Sequence, residues 1–388
     1  MALAEFTCRI CAARALDEIT DYAALPRVTS DCKAFPPGGR LAVCGACGAV
    51  QKPTDARWQS EIAAIYRNYE PYYQSGGVEQ AVFDPATGTP RLRSNVVLDR
   101  LTQVHAIGAT GSILDVGCGN GVLLRAFAQA HARWRLFGHE LSDLHVVALN
   151  KIPGFERLFT GPLGDLPSGL DVITMMHALE HFPDPAAALA DLRPKLGEGG
   201  CLFIEVPNGE ATPFDLLIAD HVSHFTRNDL ARLIGRAGMG ASAIADDWVT
   251  KELSTVALPQ GPIAPLPAAA TPAQVLERVR AQIAWLHAVI EEARQAARGA
   301  RFGLFGTSVA AMWLLGQLAD EIAFFVDEDP SRRDVTLFER PVFTPDAIPA
   351  GASVYILLIP PVARAVASRL ARPHVTFHVP PEIGARYS

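Results

Sequence analysis

The chain has 388 residues, 49% of them hydrophobic and 19% charged, with a formal net charge of -7. That balance describes a globular protein of two or three domains and excludes a disordered chain. The negative charge excludes nonspecific attraction to nucleic acid or anionic membranes, and no apolar run reaches the roughly 18 residues of a membrane span.

From the N-terminus, the first signal is metal-ligand spacing. Cys8-x-x-Cys11 and Cys44-x-x-Cys47 repeat one two-residue gap, which lets both thiolates of a pair reach a single ion. Two such pairs close a tetrahedral shell with no open position, so Cys8, Cys11, Cys44 and Cys47 are expected to hold a structural zinc in a module over 1–55. The 32 residues between the pairs cost little, because loop closure grows only logarithmically with length. In "CGACG" (44–48) glycine stands where the backbone must turn tightly round the ion. Cys32 reads as a spare buried thiol, and Cys118 and Cys201 as small packing residues. The N-terminus lacks a signal-peptide pattern, so a cytoplasmic location is the expectation.

Residues 56–100 are expected to form a helical, aromatic-rich segment. Tyr66, Tyr69, Tyr72 and Tyr73 are four of the chain's seven tyrosines. Two readings stand for them, a covered core or a lid that offers apolar faces with polar tips.

Over 101–256 the runs Ser112–Val116, Leu136–Leu141, Val172–Met176 and Cys201–Val206 alternate with helical patterns, which predicts a parallel α/β sheet. The first run leads through "DVGCGNG" (115–121) into an amphipathic pattern. Glycines at alternate positions let a backbone lie flat against a ligand that need not carry phosphate. The next run ends in "FGHEL", where Glu140 is placed to accept both hydroxyls of a ribose. The last part, 257–388, begins with a Pro/Ala-rich linker, then a helix from Ala273 to Arg298 with Val275, Val279, Ile283, Leu286 and Ile290 on one face. A second α/β unit follows from Arg301, with Gly303, Gly306 and Ser308 as a degraded glycine loop and Asp327 at a ribose-acid position. It reads either as a packing domain or as a site of its own.

"LDVGCGNG", Glu140 and "DVITMMHALEHFPDP" (171–185) together resemble class I S-adenosylmethionine-dependent methyltransferases. The resemblance implies a central Rossmann-like domain whose cofactor touches Asp115, Gly117, Cys118, Gly119, Asn120, Gly121, Glu140 and His177. The four-cysteine module ending in "CGACGAVQ" (44–51) and the trailing Rossmann-like unit are similar to the nucleotide-sugar C-methyltransferases of deoxysugar biosynthesis. In that family a "H-E-H-x-x-Y/H-F" stretch carries the base; here "IADHVSHF" (218–225) aligns with it. The resemblance then makes His221 the base, Asp220 its orienting acid, and His181 the second active-site histidine. His224 is a second proton handler or a helix cap. An imidazole suits the task because its unperturbed pKa near 6.5 permits proton uptake at neutral pH.

The sequence departs from the family at Ile218, where a tyrosine would donate to an enolate, and its lid motif survives only as "YEPYYQSGG" (69–77), with Tyr72, Tyr73 and Ser75 as replacements. Arg91, Arg93 and Lys251 are candidates for a diphosphate. The leading expectation is carbon methylation of a nucleotide-linked keto sugar; the alternative is O- or N-methylation of another sugar or small metabolite. A non-catalytic nucleoside-binding scaffold is a third reading, which the histidine pair and Glu140 disfavour. A monomer and a homodimer both fit.

Overall fold

The computed structural model describes residues 5–384 apart from 73–75, 80, 84–89, 264, 267, 300 and 334. Strand β1 (Leu16–Glu18), β2 (Ala42–Cys44) and β3 (Val50–Gln51) open the chain, followed by helix α1 (Ala56–Arg67) and helix α2 (Arg93–Val104). Asp55 caps α1 by accepting from the Trp58 N–H, satisfying one of the orphan donors of the first turn. Strands β4 (Gly111–Val116), β5 (Trp134–His139), β6 (Phe155–Phe159), β7 (Leu170–Met176), β8 (Leu196–Pro207), β9 (Ser223–His224), β10 (Gly240–Ala245) and β11 (Glu252–Leu258) come next. Between them lie helix α3 (Val122–Ala130) and helix α4 (Arg227–Arg236).

Among the described residues the second of three large sheets has seven strands in the order β6-β5-β4-β7-β8-β11-β10. Neighbours from β6 to β8 pair in parallel, while β8, β11 and β10 pair antiparallel. This is a Rossmann-like sheet, and it corrects the all-parallel expectation at one edge. The link from β10 to β11 is too short for the crossover a parallel neighbour requires. Its middle strands are buried throughout, which is why they read as apolar runs.

The expected long helix runs over Pro272–Ala296 (α5), started by a Thr271–Gln274 capping box. Val275, Val279, Ile283, Leu286 and Ile290 are all buried in one core shared with Trp285, Trp313 and Phe214. A six-stranded sheet follows from Arg301–Phe305 to Val375–His378. There Asp327 is engaged by Thr307 Oγ1 at 2.6 Å and by Arg332 at 3.1 Å, so its carboxylate carries protein partners where a ribose would sit. No helix among the described residues is long and apolar enough to cross a membrane.

The remaining sheet, β1-β2-β3-β9, has a consequence for function. Its first three strands belong to the four-cysteine module, and its fourth is the histidine segment: Ser223 pairs with Gln51 and His224 with Val50. The module is therefore the scaffold on which the histidines hang.

Candidate active site

The glycine loop leaves β4 and is suspended from β5, the Gly117 and Cys118 N–H groups donating to the His139 carbonyl at 2.9 and 3.2 Å. Gly117 and Gly121 adopt φ of +75° and +82°, and a Cβ on Gly117 would come within 2.9 Å of Ala178. Glu140, one residue past β5, accepts from the Gly119 N–H at 2.6 Å and from the Leu141 N–H at 3.1 Å. Its carboxylate is thus held over the loop. Asp115 ends β4 and accepts from Thr174 Oγ1 at 2.7 Å; burial pushes its pKa up to about 7. Asn120 donates to the Gly77 carbonyl at 2.8 Å, tying the tyrosine segment to the loop. Cys118 turns its sulfur inward against Gly138.

The histidines stand on the other side. His221 and His224 each donate from Nδ1 to one Asp215 carboxylate, at 2.8 and 2.6 Å. Asp220, expected to orient His221, instead accepts from the Ser30 N–H at 2.9 Å and from Ser30 Oγ, and lies 3.4 Å from His181 Nδ1. The carboxylate that meets His221 is Asp215, which no local spacing marks. His224 lies within β9, and the cap of α4 is Thr226, so the helix-cap alternative falls away.

Electrostatics separates the two imidazoles. Burial opposes charge on His221, but the hydrogen bond and negative charge of Asp215 outweigh it and hold its pKa above the ordinary value. For His224 burial wins, reinforced by the nearby Lys52 ammonium, and the pKa drops to about 4. Lys52 is itself fully buried, donating to the carbonyl oxygens of His221 at 3.0 Å and of Ile218. His181 packs edge-on against His221, ring centres 4.7 Å apart, and burial lowers its pKa.

Tyr66, from α1, brings its hydroxyl within 3.0 Å of His181 Nδ1, and the Tyr69 ring lies beside it, tilted by 40° with centres 5.2 Å apart. Burial and the charge of Asp220 keep the Tyr66 hydroxyl protonated. Tyr72 adopts φ of 58° and is bridged by the Gly77 N–H to its carbonyl; Tyr73 and Ser75 lie outside the described residues. The aromatic signal was in the sequence, but the member that meets the histidines is Tyr66.

A third group of charges joins the two halves. His177, at φ 52°, points its ring among Glu180 at 3.3 Å, Glu205 at 3.5 Å and Glu252 at 3.6 Å. Burial and Arg93 disfavour its cation, yet these carboxylates raise its pKa to about 10. Arg93 is committed here, 3.1 Å from Glu252 and in contact with His177, and Arg91 pairs with Asp99. Arg93 is therefore turned inward, whereas Arg91, in a surface pair, and Lys251 both remain exposed.

In the N-terminal module the four cysteine sulfurs lie within 4.8 Å of one another, with Cys8–Cys47 at 3.7 Å and Cys11–Cys44 at 3.6 Å. A tetrahedral zinc with bonds of about 2.3 Å sets its sulfurs about 3.8 Å apart, so the geometry fits the ion. Ala12 and Gly48, each one residue beyond a pair, both adopt positive φ, at 64° and 82°.

An open α/β sheet with a glycine loop on its first strand, an acid just past the second and ionisable groups at the carboxyl ends of others has the Rossmann-like arrangement in which ligands bind at the strands' carboxyl ends. Residues 91–240 match the family described as a methyltransferase domain. The chain is 27% identical over 188 residues to the ubiquinone biosynthesis O-methyltransferase of Paraburkholderia phytofirmans, covering 45% of this chain and 80% of that protein. It is 33% identical over 124 residues to the enzyme of the same name from Methylococcus capsulatus, covering 30% and 52%. A solved S-adenosylmethionine-dependent methyltransferase from Clostridium acetobutylicum is similar at 12% identity and a TM-score of 0.37, over 52% of this chain and 99% of that one. The chain carries a class I methyltransferase domain. It is an S-adenosylmethionine-dependent methyltransferase.

Proposed function

We propose that the protein transfers a methyl group to carbon beside the carbonyl of a nucleotide-linked keto sugar, with His221 as general base. The observation that carries this reading is the Asp215 carboxylate shared by two imidazoles, which holds His221 by Nδ1 and leaves its Nε2 to act, with the ring packed on His181 and the Tyr66 hydroxyl on the far side of His181. A C–H next to a carbonyl is acidic enough for an imidazole to remove, and Asp215 stabilises the imidazolium as it forms. Tyr66, a protonated hydroxyl beside His181, is the enolate donor that Ile218 does not provide. S-adenosylmethionine supplies the electrophilic methyl; Glu140 would hold its ribose and the loop from Gly117 to Gly121 would lie against its nucleoside. The four cysteines would hold a closed-shell structural zinc, whose sheet extends into the histidine strand.

A second reading, methylation of a hydroxyl or amine, is favoured by one feature: the buried apolar Ile218 removes the family's donor, and an oxygen or nitrogen acceptor needs none. Incubation with methyl-labelled donor and a panel of nucleotide-activated sugars tests both. Label on a 4-keto sugar carbon supports the first; transfer only to non-keto acceptors refutes it. Near-normal turnover by His221→Asn removes that residue from the role.

A further inference from the structure

We propose that Glu180, His181 and His221 form a second metal site, one that takes a divalent transition ion such as Zn2+, Co2+ or Ni2+ and silences methyl transfer when filled. One donor atom from each residue lies within 4.8 Å of the other two. The closest measured pair is His181 Nε2 and Glu180 Oε1, at 4.0 Å. The rings of His181 and His221 stand at 88° to one another with centres 4.7 Å apart.

The second-layer contacts point the same way. His221 gives Nδ1 to Asp215, and His181 Nδ1 faces the Tyr66 hydroxyl and the Asp220 carbonyl, at 3.0 and 3.1 Å. Both imidazoles therefore present Nε2, the arrangement in which a carboxylate or carbonyl anchors a metal-ligating histidine. Glu180 supplies an independent sign. It is 1% exposed, and neither carboxylate oxygen has a hydrogen-bond partner. Its nearest cation, His177 Nδ1 at 3.3 Å, makes an ion pair without hydrogen-bond geometry. Burial opposes its charge but the neighbouring imidazoles keep it ionised, and with neither oxygen hydrogen-bonded it is open to a small cation between it and two nitrogens.

The donor set selects the ion. Two nitrogens and one oxygen suit zinc, cobalt and nickel, whereas magnesium and calcium prefer oxygen shells. A tetrahedral ion with bonds of about 2.1 Å holds its ligands about 3.4 Å apart, so binding draws these atoms inward by roughly an ångström. Three protein ligands leave a position for water, unlike the closed four-thiolate centre. The silencing rests on the proposed role of His221: a metal on Nε2 occupies the lone pair that would accept the proton.

The test uses the full-length protein already saturated with zinc at the four cysteines, titrated with Co2+. One further equivalent is expected, with visible d–d absorption but none of the intense charge-transfer absorption of a cobalt thiolate. His181→Ala and Glu180→Gln should both lose it while retaining donor binding by calorimetry. Methyl transfer should fall by about 100-fold or more at saturation, the worth of a general base, and return on chelation. No second equivalent in the wild type, unchanged binding in both variants, or transfer accelerated by the metal would each overturn the proposal. If no acceptor is ever turned over, the base reading falls while the cobalt spectrum still decides the site.

Discussion

Replacing Asp215 by Asn changes one atom of a group that touches two imidazoles. Asparagine keeps the volume, but its amide nitrogen cannot accept an N–H, so one histidine must lose its partner and the other keeps only a neutral acceptor. Asp215 is 5% exposed and bonds to His221 and His224 at 2.8 and 2.6 Å, so no water replaces what is lost. A hydrogen bond to a charged group contributes about 1.5–3 kcal/mol, and the one to His221 strengthens as that ring takes up a proton. At 1.36 kcal/mol per decade this removes about 10- to 150-fold from kcat, with KM for either substrate little changed. Initial rates with labelled donor measure it, and a thermal melt confirms that the variant folds. A folded Asp215→Asn enzyme with kcat within twofold of the wild type would refute the reasoning. Asp220→Asn is the contrasting variant, because its carboxylate serves Ser30 and His181.

Glu140→Ala removes an acceptor for two ribose hydroxyls and should weaken donor binding by about 100-fold, measured by calorimetry; an unchanged affinity refutes the placement. Asp115 has its pKa pushed by burial from 3.8 to about 7, so the folded protein holds a proton there that the unfolded chain releases. Its effect on stability is accordingly a loss as pH rises from about 4 to about 7, read from denaturation midpoints and absent in Asp115→Asn. Over the same rise the carboxylate ionises, so affinity for the cationic donor should climb between pH 6 and 8; a flat profile in the wild type contradicts this. Stripping the four-cysteine centre with a chelator should abolish transfer while donor binding survives, since the module reaches the site through β3 and β9. Full turnover by demonstrably metal-free protein would refute that coupling.

What could be read from the sequence was local. Cys-x-x-Cys, the glycine loop and the acid at the end of the next strand are each fixed by spacing along a few residues; the four cysteines converge on one another, and Glu140 meets the loop at Gly119. The errors came where chemistry depends on direction. Asp220 is the natural partner for His221 because it precedes it, but the two lie in a turn closed by the His221 N–H on the Ile218 carbonyl, and the Asp220 carboxylate is taken by Ser30. Asp215 sits in the turn Pro213–Leu217, six and nine residues ahead of its two histidines, a spacing that matches no helix or strand period. Arg93 misled for the same reason. An arginine opening an amphipathic helix says nothing about which way it faces, and this one turns in toward Glu252 and His177. Strand β9 is two residues long, too short for any periodic signal, and its ladder is made of backbone groups that sequence does not mark.

That short ladder explains why a thiolate module precedes this domain at all. The donor-side residues Asp115, Glu140 and the glycine loop are mounted on the seven-stranded sheet, while the histidine strand is an edge of the four-stranded one. Two residues of pairing hold little by themselves, and the segment is fastened further. Lys52 binds the His221 and Ile218 carbonyls, the Lys52 N–H donates to Val222 at 2.8 Å, and Ser30 holds Asp220. Arg9, beside Cys8, reaches across to the Pro183 carbonyl at 2.7 Å, just beyond His181. Every one of these anchors lies in the first 52 residues. A base whose position must be fixed to about half an ångström cannot rest on a free loop, and a small module lacks the core to be rigid on its own. Four thiolates round one ion would give it that rigidity, which would pass to the imidazole through the backbone pairing of β3 with β9.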